Sequence, residues 1–99
     1  MTLENLFEDY LDDNLRISSK KTEKHYRIML RQLAELLGKA PTVADLTNRL
    51  QTKYVRWMQA KDYSPCTVNQ RLHYLRALWR YGCRQGVIEK WPESIKVKE

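Results

Sequence analysis

Glycine and proline are scarce, three of each in 99 residues, and they punctuate segments of helical periodicity. No β-type alternation persists, and no internal repeat or low-complexity segment occurs. These absences point away from a sheet and toward helices joined by short loops. Cysteine is nearly missing too. Cys66 and Cys83 stand apart without a CxxC spacing, and two distant histidines complete neither a zinc site nor a disulfide framework. A reducing compartment is the expectation. No apolar run approaches the roughly 18–20 residues that span a bilayer. The acidic opening MTLENLFEDY lacks the basic and apolar regions of a signal peptide. The expected protein is intracellular and soluble, with no membrane partner.

Catalytic equipment is also lacking. There is no glycine-rich phosphate loop. The pair Asp12-Asp13 ends a helix without the companion acids that would hold magnesium, so it reads as a solvated face. The six tyrosines fall on amphipathic segments, where a tyrosine usually packs in the core with its hydroxyl at the rim. Nowhere do a nucleophile, a base and a charge-stabilising group converge. No catalytic residue, metal ligand or cofactor is assigned.

What is present is a chain of one-domain length, able to bury about 60–70% of its unfolded surface. It carries a net charge of +6, which favours a polyanionic partner. Helix one is expected over Leu3 to Asn14 with Thr2 as N-cap, and Leu3, Leu6, Phe7, Tyr10 and Leu11 form its apolar stripe. Helix two should begin after Ser18 or Ser19 and stop at Gly38, with Tyr26, Met29, Leu30, Leu33, Leu36 and Leu37 inward. In the connector KAPTVADLT, Thr42 and Asp45 can cap a single turn. Thr47 starts helix three, which runs to about Lys61 with Leu50, Tyr54, Trp57 and Met58 inward. Helix four opens with Ser64 as N-cap and Pro65 at its first position and ends at Gly86. Its inner face is Val68, Leu72, Leu75 and Trp79, continued by Gly82 and Cys83. The tail KWPESIKVKE, polar and broken by Pro92, reads as a linker that leaves the domain. The expected organisation is a helical domain over 1–88 and a linker over 89–99.

Two helix faces carry the functional signal. The first half of helix two sets Lys20, Lys21, Lys24, Arg27 and Arg31 against one acid, Glu23. From Tyr63 to Ile88 there is no acid at all, yet Arg71, Arg76, Arg80 and Arg84 occur there. At about 100° per residue, the outward face of helix two holds Lys21, Lys24, His25, Ile28 and Gln32. That of helix four holds Cys66, Asn69, Gln70, His73, Ala77, Arg80 and Arg84. Asn, Gln, His and Arg suit base edges, Lys and Arg suit phosphates, and an α-helix fits the major groove.

The order of landmarks resembles the core-binding domain, also called the SAM-like N-terminal domain, of phage integrases and other tyrosine recombinases. The resemblance runs from TLENLFEDYL through SSKKTEKHYRIMLRQLAELLG and PTVADLTNRLQTKYVRWM to YSPCTVNQRLHYLRALWRYGCRQGVIEKWP. Thr22 and Tyr26 match an early pair four apart in helix two, and Asp45-Leu46-Thr47 matches the connector. Ser64 and Thr67 match the start of helix four, and Gly86-Val87-Ile88 approaches its exit. Trp91-Pro92 departs from the Asn-Pro that often follows. The resemblance implies an all-α, compact four-helix bundle that grips duplex DNA through helices two and four, while a separate catalytic domain clamps the other side.

Together, wheel and resemblance nominate Lys20, Lys21, Thr22, Lys24, His25, Ser64, Thr67, Asn69, Gln70, His73, Arg76 and Arg80 as DNA-binding residues. His73-Tyr-Leu-Arg76 has the His-x-x-Arg spacing of the family's catalytic domain but sits in the wrong domain, and reads as helix-four surface. The implied partners are double-stranded DNA and other recombinase protomers on it, with the isolated domain monomeric. The implied location is cytoplasmic and nucleoid-associated, in a prokaryotic or phage-encoded protein. The rival reading is a helical protein-interaction module with an acidic partner and no DNA binding.

Overall fold

Thr2 opens the first helix as its N-cap, its Oγ1 accepting from the Asn5 amide at 3.1 Å. The computed structural model describes residues 1–13 and 19–98. Its helices are α1 (Leu3–Asp13), α2 (Lys20–Leu37), α3 (Asn48–Ala60) and α4 (Pro65–Arg84), with one 3-10 turn at Val43–Asp45. Asn14, the expected end of helix one, and Ser18, an alternative cap for helix two, lie outside the described residues.

Local chemistry sets these boundaries. Gly38 ends α2 in the left-handed conformation, at φ 71°, which a side chain would resist. Thr42 and Asp45 form a reciprocal capping box around the short turn. Thr47 caps α3 through the Leu50 amide at 3.1 Å, and Ser64 caps α4 through the Thr67 amide at 3.2 Å. The entry to α1 is pinned to the connector by paired backbone bonds, Leu3 N–H to the Pro41 carbonyl and Val43 N–H to the Met1 carbonyl.

α4 is the central element and packs against all three other helices. Val68, Leu72, Leu75, Leu78 and Trp79 are buried along it, as are Leu6 and Phe7 of α1, Met29 and Leu33 of α2, and Tyr54 and Met58 of α3. The radius of gyration, 12.8 Å, is that of a compact domain of about this length. Gly82 lies inside α4 rather than between segments. A Cβ there would come within 2.4 Å of the Ile88 side chain and 3.1 Å of Leu6, so glycine permits that approach.

Three expectations need correction. Trp57 is half-buried rather than a core residue, because at about 100° per residue it lies about 60° from Tyr54 and about 100° from Met58; Lys61 Nζ sits 4.7 Å from its ring centroid. Gln32 is 5% exposed rather than outward-facing. The Tyr54 hydroxyl donates to its Oε1 at 2.5 Å, and its Nε2 donates to the Tyr63 hydroxyl at 3.2 Å, so its amide is satisfied inside. The largest difference is the tail. Residues 90–97 do not leave the domain but run back along α3 and α4, with Ile95 and Val97 packed against the core.

Candidate nucleic-acid interface

α2 begins in an electrostatically costly way. The positive pole of a helix favours acids in its first turn and disfavours cations by about 0.3–1 kcal/mol each. Lys20, Lys21 and Lys24 nevertheless occupy the first two turns and are exposed. Glu23, the acid of that turn, is committed to Arg27 at 3.2 Å, and Arg27 also takes Glu8 at 3.1 Å. The other ion pair among the described residues is Lys39–Asp45. None of these pairs uses the three lysines, so their charge is available to an outside anion. The first turn of α4, by contrast, carries no acid.

An aromatic column joins this lysine end to α4. Phe7 stacks on Tyr26 with centroids 5.1 Å apart, and Tyr26 meets Tyr74 edge-on at 4.8 Å. Tyr74 carries His25 flat on one side, 5.4 Å away and 7° from parallel, and His73 edge-on at 5.5 Å. The column starts in the core and ends at the surface, so both histidines are positioned by packing. His25 is half-buried, with Nδ1 3.4 Å from Arg71 Nη1. Desolvation, then the charges of Arg71, Lys21 and Lys24, hold its imidazole below the ordinary histidine value. The ring is therefore mainly neutral near pH 7, able both to donate and to accept a hydrogen bond.

Arg71 is the residue that the helical wheel passed over. It points toward the α2 side of α4, half-buried, with Nη1 also 3.4 Å from Gln70 Oε1 and a buried Nε that has no partner. A buried guanidinium N–H left unsatisfied is costly. Its signal in the sequence was the acid-free stretch around it, which its inward angle obscured.

The nominated residues fall into distinct groups. Lys20, Lys21, Lys24, Gln70 and His73 are exposed, and His25 and Arg80 half-buried, on the joined α2 and α4 surface. Thr22 is half-buried in the first turn of α2. Ser64 and Thr67 are engaged in the α4 cap, where Ser64 Oγ also donates to Thr67 Oγ1 at 3.1 Å. Asn69 and Arg76 lie on the other edge of α4 and are held by the tail. Asn69 Nδ2 donates to the Val97 carbonyl and its Oδ1 accepts from the Val97 amide, both at 2.8 Å. Arg76 Nη1 donates to the Ile95 carbonyl at 2.7 Å, and burial followed by the Arg80 charge lowers its pKa.

Acids gather elsewhere. Asp9, Asp12 and Asp13 of α1 flank the C-terminal half of α4, where the Tyr81 hydroxyl donates to Asp13. Desolvation and that carboxylate push the Tyr81 pKa up to about 12. α2 and α4 run antiparallel, early α2 meeting the middle of α4 through His25–Arg71 and Tyr26–Tyr74 and late α2 meeting its start through Gln32–Tyr63. The α1 acids therefore lie at the end of the bundle where α2 begins, on the α1 side of it. Among the described residues no group of three His, Cys, Asp or Glu side chains lies close enough to hold a metal ion.

Comparison with protein families matches residues 2–97 to the phage integrase SAM-like domain. No curated protein and no solved structure matches the chain.

Proposed function

The chain belongs to the phage integrase SAM-like domain family, and on that premise we propose that it is the DNA-binding domain of a site-specific tyrosine recombinase. α2 and α4 grip the duplex of the core recombination site, and other protomers of the recombinase bind alongside. The cleavage chemistry resides in a catalytic domain other than residues 2–97. The parent protein works on the nucleoid of a prokaryote or on phage DNA.

One observation carries this reading above the others: an acid-free cationic seam where α2 and α4 meet, built on the Tyr26–Tyr74 column and holding Lys21, Lys24, His25, Gln70, Arg71 and His73. Lysines at the positive pole of a helix oppose its stability but attract phosphates. Amide and imidazole groups beside them can read base edges. Phosphate contacts supply most of the affinity and the register, and the polar side chains of α4 add sequence preference.

The test is an NMR titration of the labelled 99-residue chain with a random-sequence duplex at low salt. Shifts should cluster on residues 20–28 and 64–80 and fade as salt rises, with log K falling by about 0.9 per phosphate contacted for each unit of log[salt]. A well-folded spectrum without shifts refutes the reading and turns attention to an acidic protein partner. The duplex should emerge uncut and without a covalent adduct.

A further inference from the structure

The cleft between α3 and α4 is lined by side chains that read backbone. Asn48 Oδ1 accepts from the Glu93 amide at 3.0 Å, and Gln51 Nε2 donates to the Glu93 carbonyl at 3.1 Å. Arg76 takes the Ile95 carbonyl at 2.7 Å, and Asn69 takes both polar backbone groups of Val97 at 2.8 Å. Trp79 Nε1 donates to the Lys90 carbonyl at 2.7 Å. The residues held, 93, 95 and 97, alternate with the period of an extended chain. Ile95 and Val97 turn their side chains toward the domain, and the intervening Lys96 and Lys98 are exposed. Both lysines flank the residue clasped by Asn69, one helical turn from His73.

We propose that this cleft is a dock for the tail, that Asn69 and Arg76 are its positioning residues rather than DNA contacts, and that docking sets Lys96 and Lys98 at the edge of the cationic seam as further phosphate-binding groups. The proposal rests on the duplex-binding reading above. Its physical basis is saturation. Asn69 already uses both ends of its amide, and exchanging those bonds for bonds to a base would leave little net gain. The neighbouring lysines meet no such conflict. Because the dock holds main-chain atoms, it fixes the path of the tail whatever residues face solvent.

The experiment is a double-mutant cycle on the 99-residue chain, with fluorescence anisotropy of a labelled random duplex at several salt concentrations and NMR of the Val97 amide. Asn69→Ala should release the tail, seen as rapid exchange of that amide. It should weaken binding about 3- to 10-fold and reduce the salt slope by up to about 2, the share of two phosphates. Lys96→Ala with Lys98→Ala should do the same with the tail still docked. The triple variant should lose no more than either, the non-additivity expected of residues acting through one another. Val97→Pro, which deletes the N–H donated to Asn69 and leaves every helix intact, repeats the release should Asn69→Ala perturb folding.

Additive losses would overturn the proposal in favour of direct contact by Asn69. Tighter binding on release would mean that the tail competes with DNA, and unchanged binding that it takes no part; either sinks the idea. Absence of salt-dependent binding by the unaltered chain would defeat the duplex-binding reading and this proposal with it, an outcome distinct from all of these.

Discussion

Along the edge of α4 that meets α2, Gln70, Arg71 and His73 lie beside exposed lysines and a stacked histidine. Along the edge that meets α3, Asn69 and Arg76 bind the tail's main chain. Both edges present an amide and a guanidinium on the same helix. They differ in their company. The α3 edge faces a peptide that consumes its hydrogen-bonding capacity. The α2 edge faces cations and an aromatic column, and Arg71 Nε stays unpartnered. Side chains suited to base edges suit peptide backbone equally well, because both present paired donors and acceptors. Residue type therefore nominates an interface, and unspent capacity selects one.

The strongest way to break the contrast is to remove what both edges stand on. Leu72 is fully buried in α4 between them. Leu72→Ala should cost about 2–5 kcal/mol, read as a lower urea midpoint, and both edges should fail together. A more selective break is Gln51→Ala, on the tail side only. It strips the Glu93 carbonyl and Arg76 of a buried partner and should cost about 1–3 kcal/mol, while the Lys24 and His25 amides keep their positions in the NMR spectrum.

Ser64 separates capping from binding. Ser64→Ala should lose about 1 kcal/mol by denaturation, whereas Ser64→Asp should keep the cap and weaken duplex binding by adding an acid to the acid-free first turn of α4. Lys20→Glu sharpens the α2 side. It should raise stability by about 0.3–1 kcal/mol, because the acid suits the helix pole, yet reduce duplex affinity and its salt slope. Lower stability together with unchanged affinity would remove α2 from the interface.

The smallest effect concerns pH. The folded His25 pKa is lowered relative to the unfolded chain, so the unfolded state binds the proton more readily. Stability should be intact above about 6.5 and decline slightly as pH falls through the lower folded value. Duplex binding should strengthen over the same interval, since phosphates favour the protonated ring. An imidazole titration by NMR with a His25 midpoint at or above the ordinary value would contradict the environment described.

Much of the fold was legible. Thr2, Thr47 and Ser64 mark helix starts and Gly38 a helix end through interactions confined to one turn, and the stripes of α1 and α4 follow from a 3.6-residue period. The lysine-rich start of α2 was legible for the same reason: charge against the helix pole is a local anomaly. Less legible was whatever depended on a second element. Gln32 looked exposed until Tyr54 and Tyr63 were brought against it. Arg71 was counted only as one arginine of the acid-free stretch until α2 supplied His25. The tail looked like a linker because its own residues are polar, and what docks it is donated by α3 and α4.

The sequence by itself determined four amphipathic helices, their caps, a basic and acid-free α4, and the kinship with integrase SAM-like domains. The helices, caps and charge follow from short-range spacing and composition, and the kinship from a resemblance in the order of landmarks that the family match over residues 2–97 supports. Only the tertiary structure decided which edge of α4 is spent on the tail and which remains open beside the lysines of α2. The reason is physical: hydrogen-bonding groups are satisfied by whatever the fold brings within about 3 Å, and no spacing along a single helix specifies that partner.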